Sequence, residues 1–139
     1  MPPSSLAAKL RIGPENRVLL LAAPDDGLEL LGEMPDGVQI TEAADTPYQG
    51  DFDVVMAFVR DKAAIDRLAP VAFAAVRPGG IVWIAYPKLS SGVKTDITRD
   101  VGWETVDAAG WKGVTQIAVD ATWSALRFRP EDEVGKPSR

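Results

Sequence analysis

The chain has 139 residues, 46% of them apolar, which suits one domain with a real core and is too few for two ordinary domains. Twenty acidic against 15 basic residues give a formal charge of −5, a balance that opposes non-specific contact with nucleic acid or an anionic membrane. Cysteine and histidine are absent, which excludes a disulfide framework, a thiolate nucleophile, a Cys or His metal site and any His-centred triad.

Only carboxylates remain as metal ligands, and no metal site is expected. No apolar stretch approaches the ~20 residues that span a bilayer. MPPSSLAAKL is too short and too polar for a secretory core. A cytoplasmic protein with no nucleic-acid or membrane partner is the expectation.

Ser4 or Ser5 can cap a short helix through about Arg11, with Leu6 and Leu10 on one face. Gly13 ends it and Pro14 forbids its continuation. Residues 17–22 (RVLLLA) are nearly all apolar, as in a parallel strand buried on both faces. Pro24-Asp25-Asp26-Gly27 reads as a turn and helix start, followed by Leu28, Leu30 and Leu31 before Gly32 stops the helix. The second strand is predicted at 38–41 and the third at 51–59, with Pro47 and Gly50 in the loop between them.

Asp61 then caps a helix whose inner face is Ile65, Leu68, Ala72 and Ala75. Pro70 predicts a kink or a break into two pieces. Arg77-Pro78-Gly79-Gly80 makes the turn into a fourth strand at 81–86. Residues 87–95 form a polar loop, and Asp96 is predicted to cap a helix that Gly110 ends. Strands at 114–119 and 123–129 flank Asp120-Ala121-Thr122, so they form an antiparallel hairpin. The domain is expected over 1–129, with a disordered charged tail from Pro130 to 139.

Strands alternating with helices predict an α/β three-layer sandwich with a mainly parallel sheet. The expected strand order is 2-1-3-4-6-5. Trp83 reads as core, and Trp103, Trp111 and Trp123 as core or edge packing. The terminal hairpin leaves an open edge that a second copy can pair with, as a homodimer. Arg127 and Arg129 alternate with Leu126 and Phe128, which predicts one wet face and one buried face.

Three segments carry a family resemblance: LAAKLRIGPENRVLLLAA, AADTPYQGDFDVVMAFV and LAPVAFAAVRPGGIVWIAY. They resemble the opening helix and strand, the acidic loop and third strand, and the Pro-Gly-Gly turn of S-adenosylmethionine (SAM)-dependent methyltransferases. PKLSSGVKTD and ATWSALRF are similar to strings in a group of short bacterial proteins of no established activity. The resemblance implies a truncated Rossmann-like methyltransferase fold over most of residues 6–86. It does not carry an activity, because fold does not fix function.

Such enzymes carry Asp/Glu-x-Gly-x-Gly-x-Gly after the first strand. Here the segment is Ala22-Ala23-Pro24-Asp25-Asp26-Gly27, and only Gly27 remains. Pro24 has no N–H to offer, and Asp25 and Asp26 repel an incoming phosphate. SAM is cationic at sulfur and nitrogen, so these acids do not exclude it by charge. Glu42 matches the acid that binds the ribose hydroxyls, and Asp45 the acidic residue beside the adenine. Only two residues separate them, so the helix and strand that normally intervene are missing. Solvated loop acids are the competing reading of both.

The loop from Lys88 to Asp96 leaves the fourth strand at the edge where open α/β sheets bind ligands. Lys88, Ser90, Ser91, Lys94 and Thr95 could hold an anion at the helix that follows, or serve only as a solvated, capped loop. Arg60 and Asp61 lie on the same edge and read as a surface pair. Three functions follow. The leading one is a non-catalytic domain that binds a small molecule or a protein partner, with no resident cofactor. The alternative is a minimal SAM-dependent methyltransferase. The third is an anion-handling enzyme built on Lys88 and Lys94.

Overall fold

Six strands form one sheet: β1 (Arg17–Leu21), β2 (Gln39–Ala43), β3 (Phe52–Phe58), β4 (Val76–Pro87), β5 (Trp111–Ala118) and β6 (Trp123–Pro130). The structure is a computed structural model, described here for residues 6–25, 31–43, 50, 52–88, 92, 95–97, 102–120 and 122–130. The strand order is β2-β1-β3-β4-β6-β5, as expected. The pairs β1–β2, β1–β3 and β3–β4 are parallel. The pairs β4–β6 and β5–β6 are antiparallel. The described helices are α1 (Leu6–Lys9), α2 (Lys62–Ala75) and α3 (Glu104–Ala108).

Alternation along the strands builds two cores, one on each face. Leu19, Leu21, Val55, Ala57, Val82 and Ile84 pack with Ile65, Leu68, Ala72 and Ala75 of α2 and Val106 of α3. Val18, Leu20, Val54, Met56 and Trp83 pack on the other face with Ala7 and Leu10 from the α1 end. The result is the three-layer arrangement expected from the alternating elements. Trp83 is buried, and its Nε1 donates to the Leu10 carbonyl at 2.9 Å, which fastens the end of α1 to the sheet. Burying an indole without such an acceptor would leave its N–H unsatisfied.

Local chemistry sets α2. Asp61 is its N-cap, and Asp61 Oδ1 accepts from Ala64 N at 2.9 Å. Pro70 lies within the helix, which runs on as one element instead of separating into two. Its exposed position leaves the buried face Ile65–Leu68–Ala72–Ala75 continuous. That burial outweighs the hydrogen bond that Pro70 cannot donate.

β4 begins five residues earlier than expected, at Val76. Phe52 pairs with Val76 and Val54 with Ile81, so Arg77-Pro78-Gly79-Gly80 forms an outward bulge opposite Asp53. Asp53 holds it: Oδ1 accepts from Arg77 Nε at 2.5 Å and Oδ2 from Arg17 N at 2.8 Å. A Cβ on Gly80 would lie 2.6 Å from Val76 Cγ2 and 3.0 Å from the Arg77 and Asp53 carbonyl oxygens. Only glycine fits there.

Other boundaries move. β2 starts and ends later than expected, and the first helix ends at Lys9, with Arg11 in the left-handed region at φ 64. β5 starts at Trp111, and Pro130 belongs to β6, opposite Trp111, rather than to a tail. Of the helix expected from Asp96, residues 95–97 are not helical and α3 runs from Glu104 to Ala108, while residues 98–101 lie outside the described residues. Ser4, Ser5, Leu28, Leu30 and residues 131–139 lie outside the described residues. Among the described residues, no helix is long and apolar enough to cross a membrane.

Candidate functional site

The parallel strands β1, β2, β3 and β4 all end at one edge of the sheet, where open α/β folds bind their ligands. β1 leads into Ala22, which takes the left-handed conformation at φ 55, one normally left to glycine. Ala22 N donates to Ala43 O at 2.8 Å, so this N–H is taken up at the end of β2. Pro24 has no N–H. Asp25 is exposed beside it, while Asp26 and Gly27 lie outside the described residues.

Glu42 corrects its expected position. It lies within β2, opposite Leu20, one residue before the strand ends, and is exposed. Asp45 lies outside the described residues. The structure thus places Asp25 in the turn after β1 and Glu42 in the neighbouring strand β2.

Arg60 follows β3. Its guanidinium lies 5.4 Å from the Trp123 ring centroid, so its partner is an aromatic face rather than Asp61. Asp61 is occupied as the cap of α2. A second carboxylate reaches the same helix: Asp96 Oδ1 accepts from Lys62 N at 2.7 Å. Asp96 was expected to cap a helix of its own; it instead supports α2, where negative charge is favoured.

The 88–96 loop is therefore anchored at both ends. Lys88 N donates to Thr122 O at 2.7 Å, on the hairpin turn. Thr95 Oγ1 accepts from Ile97 N at 3.2 Å, and Ile97 is fully buried against α2's layer. Ser90, Ser91 and Lys94 lie outside the described residues. The first-turn donors Lys62 N and Ala64 N of α2 are taken by the Asp96 and Asp61 carboxylates.

Around this frame, α2 is tied to α3. Thr105 Oγ1 donates to Asp66 Oδ1 at 2.5 Å, and Lys62 Nζ lies 3.1 Å from Asp66 Oδ2. The Thr105 hydroxyl and then Lys62 hold the Asp66 carboxyl below its ordinary value. At the opposite end of the sheet, the Arg17 N–H and then the Arg77 guanidinium lower Asp53 in the same way. Sequence reasoning missed Asp53, Asp66 and the true role of Asp96. Each has a partner 34 to 39 residues away, and no local pattern marks such a pair.

Among the described residues, two of the cavities lie off this edge. One, of about 350 Å³, sits between α3 and the hairpin, lined by Trp103, Asp107, Val114, Leu126 and Phe128. The other, of about 380 Å³, sits at the start of β4, beside Arg77, Pro78 and the Phe73–Trp111 stack, whose ring centroids are 4.3 Å apart. Among the described residues, no group of three or more carboxylates is placed to hold a metal ion.

No protein-family model and no curated protein matches the chain. Solved structures do. A possible exported protein from Bordetella parapertussis superposes with a TM-score of 0.60 at 13% identity, covering 90% of this chain and 65% of that one. The chain thus spans just under two thirds of the length of that relative. Aeropyrum pernix fibrillarin, solved with natively bound S-adenosyl-L-methionine, gives 0.61 at 14% identity, covering 86% and 69%. A SAM-dependent methyltransferase from Aquifex aeolicus gives 0.61 at 10% identity, covering 88% and 86%. At these identities the likeness establishes the fold, a methyltransferase-like Rossmann sheet.

Proposed function

We propose that the chain is a non-catalytic binding domain on a methyltransferase-like scaffold, engaging a small molecule or a protein at the C-terminal edge of its parallel strands. The turn after β1 carries this reading. Where a glycine loop would offer backbone donors, Ala22 gives its N–H to Ala43 and Pro24 has none. The edge retains Glu42, Arg60 and Lys88, charged side chains suited to recognition of a polar partner. A second reading, a minimal SAM-dependent methyltransferase, is supported by the fold and by Glu42 at the end of β2.

Titration calorimetry with SAM and S-adenosylhomocysteine separates the two. The binding-domain reading expects no micromolar binding of either. Micromolar binding that Glu42→Ala abolishes would replace it with the methyltransferase.

The partner includes a second copy of the chain. β5 is one of the two edge strands, exposed along most of its length, with Val114 on the surface and Lys112 as its one charge. An eight-residue edge so lightly charged is open to pairing. Light scattering is expected to give twice the 14.9 kDa chain mass. A monomer at high concentration rejects this partner.

A further inference from the structure

The cavity of about 380 Å³ at the start of β4 lies at the other end of the sheet from the edge described above. Phe73, Val76, Pro78, Trp111 and Pro130 line it, so its walls are mainly apolar. Pro78 and Gly79 are exposed, and Phe73, Trp111 and Pro130 are half-buried, so the cavity opens to solvent. The stacked Phe73 and Trp111 rings, 4.3 Å apart at the centroids, give it a flat aromatic side. A site of this size and lining takes a small apolar body, held in place by a few polar groups.

Arg77 is the one charged side chain among the described residues that line the cavity. A Cβ on Gly79 would lie 3.6 Å from Arg77 Nη1, so the guanidinium rests against the cavity wall. It is held before any ligand arrives. Nε donates to Asp53 Oδ1 at 2.5 Å and Nη1 to the Pro78 carbonyl at 2.9 Å. Arginine and a carboxylate often pair through two parallel bonds. Here Asp53 Oδ2 accepts from Arg17 N instead, which leaves Arg77 Nη2 without a partner among the described residues. A fixed guanidinium with spare donors binds a planar oxyanion at little cost in ordering.

We propose that this cavity binds a small aromatic carboxylate, its ring beside Phe73 and Trp111 and its carboxylate on the Arg77 guanidinium. One guanidinium, already shared with Asp53, answers a single negative charge rather than the two of a phosphate monoester. The site is separate from the C-terminal edge and does not depend on what binds there. Glu131, Asp132 and Glu133 follow Pro130 in the sequence and are the chain's own competing carboxylates.

The test is a nitrogen-15 NMR titration of the full chain with benzoate, acetate and benzyl alcohol in separate arms. Benzoate should shift the Gly79 and Gly80 amide signals and the Trp111 indole signal saturably at millimolar concentration. Acetate lacks the ring and benzyl alcohol lacks the charge, so each should bind about tenfold more weakly or not at all. Arg77→Gln should reduce benzoate to the level of benzyl alcohol and leave benzyl alcohol unaffected. Lys9→Gln, which removes an exposed cation of α1, should change nothing. If Arg77→Gln fails to fold by circular dichroism, Phe73→Ala decides, and it should weaken benzoate about tenfold. Four results overturn the proposal: no saturable benzoate shift at these signals, acetate binding as tightly as benzoate, full benzoate affinity in whichever of the two variants decides, and benzoate binding seen only when Glu131, Asp132 and Glu133 are changed together to Gln, Asn and Gln.

Discussion

Asp53 joins three parts of the chain through one carboxylate: the start of β1, β3 and the bulge that opens β4. Its pKa is depressed below the ordinary 3.8 by the Arg17 N–H and by Arg77. A depressed acid stabilises the fold at pH above that ordinary value and loses its contribution as pH falls through the folded value. Asp53→Asn should therefore cost about 1–2 kcal/mol at pH 7, a figure reduced for the half-exposed Arg77, and the cost should shrink toward zero in acid. Urea unfolding at pH 7 and pH 3 measures both. An equal cost at the two values would show that the charge contributes nothing. Gly80→Ala tests the same bulge sterically. The methyl group would press on Val76 and on two carbonyl oxygens, and the loss expected is about 1–3 kcal/mol.

At the scale of elements, α2 is held by two carboxylates at one end and carries a proline inside. Asp61→Ala should destabilise the protein by about 0.5–2 kcal/mol, the usual range for a lost N-cap. Asp96→Ala should cost a comparable amount, although Asp96 belongs to a distant loop. Thermal melts of the two single variants and the double variant check this, and a neutral Asp96→Ala would remove the loop's anchor from the account. Pro70→Ala should stabilise by about 1 kcal/mol or more, because it restores a helical N–H on an exposed face. Unchanged or lower stability would mean that Pro70's restriction of the unfolded chain dominates.

These same elements show what a sequence can reveal. The apolar run of β1 and the inner face of α2 were readable because both follow from local periodicity. Asp61 was readable because a cap acts within its own helix. Asp96 was not: its spacing suggested a following helix, and its partner Lys62 lies 34 residues earlier. The early start of β4 was hidden because Arg-Pro-Gly-Gly reads as a turn unless Asp53 is known to stand opposite.

For the whole molecule, strand order followed from right-handed crossovers and the short terminal hairpin, and the C-terminal edge followed from the order. What the edge holds was less readable. Glu42 looked like a residue beyond β2 and stands inside it, while Arg60 looked like Asp61's partner and lies over Trp123. The first arises because β2 runs on two residues past its expected end, the second because side-chain neighbours at a sheet edge come from different strands. The fold is a methyltransferase-like Rossmann sheet, yet the first turn is built of Ala22, Ala23 and Pro24, with a strained backbone at Ala22 and a donor already committed to Ala43. Calorimetry of the intact chain with S-adenosylhomocysteine tests this directly. The account predicts no saturable heat at micromolar ligand. A micromolar complex lost on Glu42→Ala would contradict it.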